Sequence, residues 1–237
     1  EYAFIGFLEA EGWKYSSGNN ISRVTKRDVL IADDFKKFIA DTNPDLTEDE
    51  VIQIYDNVRL VGAESDFATL HKVYGWMVNG VQFTTQDGLP RMIPLIDFDN
   101  WDKNIFRVVN QFTVEYTNNG QKENRRPDVL LFVNGMPLCV IELKNPADAN
   151  ATIYDAWEQI NIRYWRDIPH LLHYCPLACI SDGVKTRLGT VRTPYEHFYA
   201  WRRVNEGDAV STLPFAETET MIKGVYAPER FMEIFRD

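Results

Sequence analysis

A short stretch near the middle of the chain brings two carboxylates and a lysine close together. Asp128 opens an apolar run, an Asn134-Gly135 turn follows, and a second apolar run ends in Glu142 and Lys144. Runs of Val, Leu and Phe on both sides of Asn-Gly predict a β-hairpin. Residues two apart on a strand project from the same face, so Glu142 and Lys144 should share a face.

These groups are suited to the hydrolysis of a phosphodiester. The carboxylates of Asp128 and Glu142, with the carbonyl oxygen of Leu143, form an oxygen-rich set of the kind that binds Mg²⁺. A bound divalent ion can polarise a phosphoryl oxygen and lower the pKa of a bound water. Lys144 would then orient that water or offset charge in the transition state.

The register of the hairpin decides whether this site can form. With a simple two-residue loop, Asp128 would pair with Ile141 and lie on the face opposite to that of Glu142. A three-residue loop or a bulge shifts the pairing by one residue and places Asp128 beside Glu142. Pro137 cannot donate a ladder hydrogen bond, which favours an irregularity at that point. We therefore predict that the hairpin connection is not a simple two-residue loop.

The motif and its surroundings resemble a known group of nucleases. Asp128 followed by Glu142-Leu143-Lys144 looks like the active-site motif of the PD-(D/E)xK nuclease superfamily. The surrounding sequence resembles the N-terminal nuclease domain of the restriction and translocation (R) subunit of type I restriction enzymes. The similarity covers most of the chain and includes segments at 11–15, 138–146, 165–169, 180–183 and 189–198.

The resemblance implies further site residues. In such nucleases a glutamate from an early helix often completes the metal site, and Glu1 falls at that place, although an acidic residue in a first turn also suits the helix dipole. Family members carry a Gln-x-x-x-Tyr pair, whereas here Gln159 has Arg163 four residues on and Tyr164 five residues on. Positions five apart diverge by roughly 140° on a regular helix. Either Gln159 acts without this tyrosine or a π-bulge realigns Tyr164, and a surface Gln beside a core Tyr is the structural alternative.

Net charge limits how the chain can bind nucleic acid. The formal charge is −10, whereas non-specific DNA affinity depends on basic residues that neutralise phosphates. Basic residues near the motif, Arg126, Arg163 and Arg166, are the candidate DNA contacts, while we interpret Arg202 and Arg203 as part of a solvated face. We expect weak binding of double-stranded DNA by this chain alone.

Composition predicts a globular protein in a reducing compartment. With 45% hydrophobic residues, the 237-residue chain can bury a sizeable core. No apolar run approaches the roughly 20 residues that span a bilayer, and the first residues lack a secretory pattern. The three cysteines are an odd number for a disulfide framework, and His170 and His173 lack the paired Cys-x-x-Cys of a zinc site. We expect a cytoplasmic location and no membrane partner.

The elements that must position the motif alternate between helix and strand. Helices are expected at 1–11, after Thr25, after the capping box at 47–50, at 66–76, at 151–165 and at 229–237. Strands are expected at 81–85, 92–98, 105–116, 128–133, 138–144 and 177–180, with a polar loop at 118–124. The strand, helix, strand order after Lys144 is typical of a crossover unit. The sequence therefore predicts an α/β fold with a mixed sheet flanked by helices and a helical N-terminal portion.

We expect a single nuclease domain over 1–237, with a helical front at about 1–78, a core at about 79–200 and a C-terminal extension at about 201–237. The chain lacks a Gly-x-x-x-x-Gly-Lys-Ser/Thr phosphate loop. The resemblance implies that ATP is used by a translocase motor downstream, and that modification and specificity subunits are partners.

Two functions remain open. The first is a Mg²⁺-dependent endonuclease domain, that is, the DNA-cutting part of a type I site-specific deoxyribonuclease. The second is a catalytically silent module that couples the motor to the partner subunits. The presence of Asp128, Glu142 and Lys144 together favours the first, because a silent module has no chemical need for all three.

Overall fold

A mixed β-sheet forms the centre of the protein in the computed structural model, which describes residues 1–62, 64–145, 152–210, 213 and 215–236. The strands are β1 (Lys14–Ser17), β2 (Val81–Thr84), β3 (Pro90–Ile93), β4 (Phe106–Asn110), β5 (Val114–Asn118), β6 (Gln121–Arg125), β7 (Val129–Val133), β8 (Met136–Leu143), β9 (Leu177–Ser181) and β10 (Thr186–Thr190).

Helices surround this sheet. They are α1 (Tyr2–Ala10), α2 (Ala32–Thr42), α3 (Glu48–Arg59), α4 (Asp66–Asn79), α5 (Ile153–Glu158), α6 (Trp165–Asp167), α7 (Pro169–Leu172), α8 (Ala216–Met221) and α9 (Pro228–Arg236), with π-helical segments at Gln159–Tyr164 and Ile222–Tyr226. In the part of the chain that the structure describes, no helix combines the length and the apolar character needed to cross a membrane.

Six strands make the main sheet, in the order β1-β4-β7-β8-β9-β10. The pairs β1–β4 and β8–β9 are parallel, and the other neighbours are antiparallel. The parallel pair β8–β9 is joined through the helical segments that follow β8, as a parallel connection requires. The predicted α/β class, with a mixed sheet flanked by helices, is confirmed.

The central strands are buried on both faces. Every residue of β7 is buried, and β8 is buried from Met136 to Glu142. Such continuous apolar runs are expected where helices cover both sides of a sheet. The predicted capping box at the start of α3 is present, with the Glu50 carboxylate accepting from the Thr47 N–H at 2.8 Å. Helix α3 then packs Val51, Ile54 and Val58 into the same core.

Four expectations about the elements are wrong. The strand expected at 92–98 is found at Pro90–Ile93, where it pairs with β2, and it ends before Pro94, which has no N–H to continue a ladder. The helix expected after Thr25 begins only at Ala32, because the Asp28 carboxylate accepts from the Thr25 N–H and closes a local turn. The run 105–116 is broken into β4 and β5 where Gln111 adopts a left-handed φ of 55°. The segment 118–124 is not a loop, because β6 pairs with β5 in a separate antiparallel ribbon.

The three cysteines, Cys139, Cys175 and Cys179, are free and buried. Cys139 lies on β8 and Cys179 on β9, whereas Cys175 precedes β9 and is not on a strand as expected. Burial raises the pKa of each thiol. Groups held in this neutral form behave as small apolar side chains of the core.

Candidate active site

The turn of the β7–β8 hairpin differs from the prediction. It is a two-residue connection, with Val133 paired to Met136 and left-handed φ values of 50° at Asn134 and 77° at Gly135. Positive φ at both central residues defines a type I′ turn, whose twist matches that of the flanking strands. The buried Asn134 side chain also anchors the turn, since its Oδ1 accepts from the N–H of Ile105 at 2.8 Å. The prediction that the connection is not a two-residue loop is therefore wrong.

A bulge, the other irregularity considered, supplies the shift in register. Beyond Pro137 the ladder skips Leu138, so that the pairing moves by one residue on β8. Pro137 has no N–H to contribute to the ladder, so an interruption there loses no hydrogen bond from this residue. The shift continues to the open end of the hairpin, where Asp128 lies beside Glu142 and its N–H donates to Glu142 Oε1 at 3.4 Å.

Asp128 is fixed by the backbone of the opposite strand. Its Oδ2 accepts a hydrogen bond from the N–H of Leu143 at 2.8 Å. The residue is half-buried and lines a cavity. Asp128 thus forms the accessible half of the acidic pair.

Glu142 is the buried half. Its side chain is fully shielded from solvent, and each oxygen accepts a short hydrogen bond, Oε1 from the Tyr164 hydroxyl and Oε2 from the Gln159 amide, both at 2.6 Å. Burial raises the pKa of Glu142 well above its ordinary value, and the negative charge of Asp128 raises it further. The hydrogen bond from Tyr164 and the charge of Lys144 oppose this rise only in part.

A π-helical segment brings Gln159 and Tyr164 to the same carboxylate. The segment runs from Gln159 to Tyr164, and the Gln159 amide donates to the Tyr164 hydroxyl at 2.9 Å. A wider turn realigns residues that are five apart, which a regular α-helix would separate. Of the alternatives that the sequence left open, the structure contains the π-bulge.

Lys144 is connected to Glu142 through Gln159. Its Nζ donates to Gln159 Oε1 at 2.8 Å, while the amide nitrogen of the same Gln159 donates to Glu142. The backbone N–H of Lys144 donates to Ser181 on β9 at 2.7 Å, which holds the end of β8 in place. One amide therefore links the lysine and the buried carboxylate.

A cavity of about 360 Å³ opens onto part of this cluster. Asp128, Leu143 and Lys144 line it, whereas Glu142 is not among the described residues that form its wall. Its other walls come from α1, from the end of β9 and from α8, through Glu1, Ala3, Phe4, Phe7, Asn145, Ser181, Gly183, Phe215 and Thr218. Ser181, Phe215 and Thr218 were not predicted as site residues, since they are far from the motif in sequence and carry no catalytic spacing.

Glu1 lies in the cavity wall but is committed to other partners. Its carboxylate accepts from the Asn110 amide at 2.6 Å and from the Gln111 amide at 3.0 Å. Among the described residues, no group of three or more His, Cys, Asp and Glu side chains comes together to hold a metal. Glu1 is therefore not joined to Asp128 and Glu142 as a third carboxylate.

The acidic pair nevertheless fits a hard divalent cation. Two carboxylates that meet at one place repel each other, and the raised pKa of Glu142 reflects that repulsion as well as burial. Carboxylate and carbonyl oxygens are the preferred ligands of Mg²⁺. The donor set that suits such an ion is Asp128, Glu142 and the carbonyl oxygen of Leu143.

The three arginines predicted to contact DNA do not line this cavity in the described part of the chain. Arg126 and Arg163 are exposed. Arg166 is paired with Asp167 at 2.7 Å, and the same carboxylate also accepts from Arg125 at 2.7 Å. Arg166 therefore already has an ion-pair partner, which it shares with Arg125.

Fold and site together define an α/β protein that presents an acidic pair and a lysine at the end of adjoining strands of a mixed sheet. Residues 2–197 match the family model described as the type I restriction enzyme R protein N terminus, and the chain belongs to this family. It is the N-terminal region of a type I restriction enzyme endonuclease subunit.

Two relatives match nearly the whole chain. The putative type I restriction enzyme MjaIXP endonuclease subunit of Methanocaldococcus jannaschii is 30% identical over 262 residues, covering 100% of this chain and 25% of that protein. The type I restriction enzyme HindI endonuclease subunit of Haemophilus influenzae is 30% identical over 244 residues, covering 97% of this chain and 22% of that protein. The chain thus spans about a quarter of the length of these relatives.

Proposed function

We propose that this chain is the Mg²⁺-dependent endonuclease domain of a type I restriction enzyme and that it hydrolyses phosphodiester bonds of double-stranded DNA. The observation that carries the proposal is the meeting of Asp128, Glu142 and Lys144 at one end of β8, although they come from two strands. The names of the relatives, which are endonuclease subunits, support the same reaction.

Each residue of the cluster has a distinct task in this proposal. Asp128, Glu142 and the Leu143 carbonyl would hold the ion, which when bound polarises a phosphoryl oxygen and lowers the pKa of a water. Lys144 offsets the negative charge that develops on the phosphate or orients the attacking water. Gln159 acts as a positioning residue, because its amide holds both Lys144 and Glu142.

Access to Glu142 sets a condition on this reaction. Its Oε2 accepts a hydrogen bond from the Gln159 amide and its Oε1 accepts one from the Tyr164 hydroxyl. A metal ion can therefore bind Glu142 only if one of these donors moves away. We infer that the Gln159 amide turns away when the site is loaded, which leaves Tyr164 to orient the carboxylate. Lys144 is released from Gln159 by the same movement and becomes available to the phosphate.

The partners of the whole enzyme belong to the proposal as well. We propose that cutting takes place when this domain is assembled with a downstream translocase motor, which uses ATP, and with modification and specificity subunits. The relatives are about four times as long as this chain, which leaves ample length for a motor. The net charge of −10 is consistent with weak DNA binding by the isolated chain.

The second candidate is a catalytically silent module that couples motor and partner subunits. One observation favours it: Glu142 is fully buried, and the cavity is lined by Asp128 and Lys144 without it. If Gln159 never releases Glu142, the acidic pair cannot share an ion and the cluster serves only to hold the fold.

The decisive experiment compares DNA cutting with ATP hydrolysis in the assembled enzyme. Asp128→Ala and Lys144→Ala should abolish cutting and leave ATP hydrolysis unchanged, since the two activities reside in different parts of the enzyme. Asp41→Ala, at an exposed position on α2, is the matched control and should cut normally. Unchanged cutting by both site variants would overturn the proposal, and an unaltered enzyme that translocates without cutting would support the silent module.

A further inference from the structure

A second groove lies next to the candidate active site, on the other side of the turn between β9 and β10. Its volume is about 460 Å³. Its walls are formed by the start of β10, by a segment that pairs with that strand, and by α8, through Lys185, Arg187, Phe198, Tyr199, Ala200, Arg202 and Glu217. We call it the basic groove.

The basic groove and the catalytic cavity share a wall. In the turn between β9 and β10, Gly183 lines the cavity and Lys185 lines the groove. On α8, Thr218 likewise lines the cavity and Glu217 lines the groove. The wall is tied together from within, because the Thr186 N–H donates to the Glu217 carboxylate at 2.9 Å and the Thr186 and Thr218 hydroxyls are 2.7 Å apart. The two openings are therefore neighbours on a rigid support.

Strand register places Arg187 of the groove on the face of the sheet that carries Glu142. Glu142 pairs with Ile180 on β9, and Ile180 pairs with Arg187 on β10. Cross-strand partners point to the same face, so Arg187 projects from the face that carries Glu142. Two strand spacings separate them, or roughly 10 Å. This is about three nucleotides of rise along a DNA strand, at roughly 3.4 Å each.

The cations of the groove are not held in ion pairs, in contrast to Arg107 and Arg166. Lys185, Arg187 and Arg202 form no ion pair with any carboxylate in the described segments. Elsewhere, Arg107 is held by a carboxylate at 2.6 Å and Arg166 by one at 2.7 Å. The three unpaired cations outnumber the carboxylate of Glu217, which also lines this concave surface, so the groove attracts a polyanion although the chain has a net charge of −10.

Aromatic side chains accompany these cations. Tyr199, in the groove, is 56% exposed. The Arg187 guanidinium lies 5.5 Å from the ring of Tyr195, which meets the ring of the exposed Tyr154 edge-on at 5.0 Å. Grooves that follow a nucleic-acid strand combine cations for the phosphates with aromatic rings for bases and sugars.

We propose that the basic groove binds the phosphate backbone of DNA beside the bond that is cut, with Lys185, Arg187 and Arg202 as the phosphate contacts. This inference rests on the proposed function for the identity of the ligand, but its binding energy comes from different residues. It assigns a binding role to Arg202, which the sequence alone suggested to be part of a solvated face. It also moves the main DNA contact away from Arg166.

The salt dependence of DNA binding tests the proposal. The 237-residue chain is titrated onto a fluorescent 20-base-pair duplex in EDTA, so that cutting cannot occur, and anisotropy is followed from low to physiological salt. Lys185→Ala/Arg187→Ala/Arg202→Ala should weaken binding, and the slope of log affinity against log salt should fall in magnitude by up to about three, because each phosphate contact contributes about 0.9. The double variant Lys185→Ala/Arg202→Ala spares the strand residue and should lower the slope by about two.

A charge-matched control separates the groove from net charge. Lys14→Ala/Lys26→Ala/Lys36→Ala removes three charges that, like those of the groove, form no ion pair in the described segments, from exposed or half-exposed sites on the helical front, and should leave most of the slope intact. Equal losses in the groove and control variants, or no binding by the unaltered chain at low salt, would overturn the proposal. Calorimetric titration with Mn²⁺ distinguishes the two hypotheses: groove variants should bind the ion as the unaltered chain does. Groove-dependent DNA binding by a chain that takes up no Mn²⁺ would refute the metal site and leave the groove standing.

Discussion

The hydroxyl of Tyr164 donates to Glu142 Oε1 at 2.6 Å, on a carboxylate whose other oxygen is held by Gln159 at the same distance. The two donors are five positions apart in sequence, and only the π-helical segment that contains them allows both to point at one group. A buried carboxylate needs such partners, because its negative charge is otherwise poorly solvated. The extra residue in this helix therefore brings two side chains that are five positions apart to one carboxylate, which a regular helix could not do.

Deletion of Ile162 should be tolerated. Ile162 is 49% exposed and lies inside the π segment, and its removal leaves Gln159 and the tyrosine four residues apart, which is the spacing that shares a face in an α-helix. We expect thermal unfolding to show a loss of stability below about 1 kcal/mol and Mn²⁺ affinity to stay unchanged.

The opposite change should be damaging. Insertion of one alanine after Ile162 makes the spacing six residues and removes both hydrogen bonds to a buried carboxyl group, which should cost about 3 kcal/mol or more. Ile162→Ala is the control that keeps the length. An insertion variant as stable as the deletion variant would mean that the alignment of Gln159 with Tyr164 is not what the π segment provides.

The stability of the metal-free protein should fall as pH rises above the ordinary pKa of Glu142. Burial raises the pKa of Glu142 when the protein is folded, so between the unfolded and folded values the folded protein holds a proton that the unfolded chain has lost. Stability is then highest below this window and is lost as pH increases through it. A bound divalent ion requires the ionised carboxylate, so Mn²⁺ affinity should increase over the same range.

Thermal unfolding from pH 5 to pH 9, in EDTA and with Mn²⁺, measures both effects. Glu142→Gln keeps the shape but removes the titration, so the difference in stability between it and the unaltered chain should isolate the contribution of Glu142. If both chains show the same pH dependence in EDTA, the raised pKa assigned to Glu142 is wrong.

Local patterns in the sequence were sufficient for several elements. The Thr47 capping box and the helical spacing of Val51, Ile54 and Val58 need no information from outside the segment, and α3 is formed as predicted. The crossover after Lys144 was likewise predicted from the order of elements. The capping box and the helical spacing depend on neighbouring residues alone, and the crossover follows from the order of elements, which is why a single sequence could show them.

Features that depend on distant contacts were missed or left open. The two-residue turn is stabilised by Asn134, whose amide nitrogen donates to Leu95 at 2.9 Å, a residue far away in sequence. The short strand β1 is polar in sequence and exists because it pairs in parallel with β4. The sequence placed Glu142 in the site but could not show that Gln159 lies between it and the cavity, since that depends on how the crossover helix packs over β8.

Gly135 should be irreplaceable, unlike Gly75. At Gly135, φ is 77° and a Cβ would collide with the backbone carbonyl of Ile31, which cannot move aside because its own N–H is bound to Gly135 at 2.8 Å. Gly135→Ala should cost about 3 kcal/mol or more in urea unfolding, from backbone strain and displacement of α2.

Gly75 lies in α4, and an added methyl group there would meet nothing within 4 Å among the described residues, so Gly75→Ala should stabilise by about 0.5–1 kcal/mol. Equal effects of the two substitutions would contradict this explanation of the turn.

His170 should make the fold sensitive to mild acid. Its Nε2 is buried and has no hydrogen-bond partner in the described part of the chain, and burial, followed by the charges of Arg27 and His173, lowers its pKa from 6.5 to about 4. A lowered folded pKa means that the stability is complete above pH 6.5 and is lost as pH falls toward 4. The loss should reach about 2 kcal/mol at pH 4, since a tenfold change in proton affinity corresponds to about 1.4 kcal/mol and part of the ring is still hydrated.

His170→Leu should flatten this part of a urea-unfolding pH profile, whereas His197→Leu, at an exposed site, should keep it. A profile that stays steep in His170→Leu would assign the acid sensitivity to other groups.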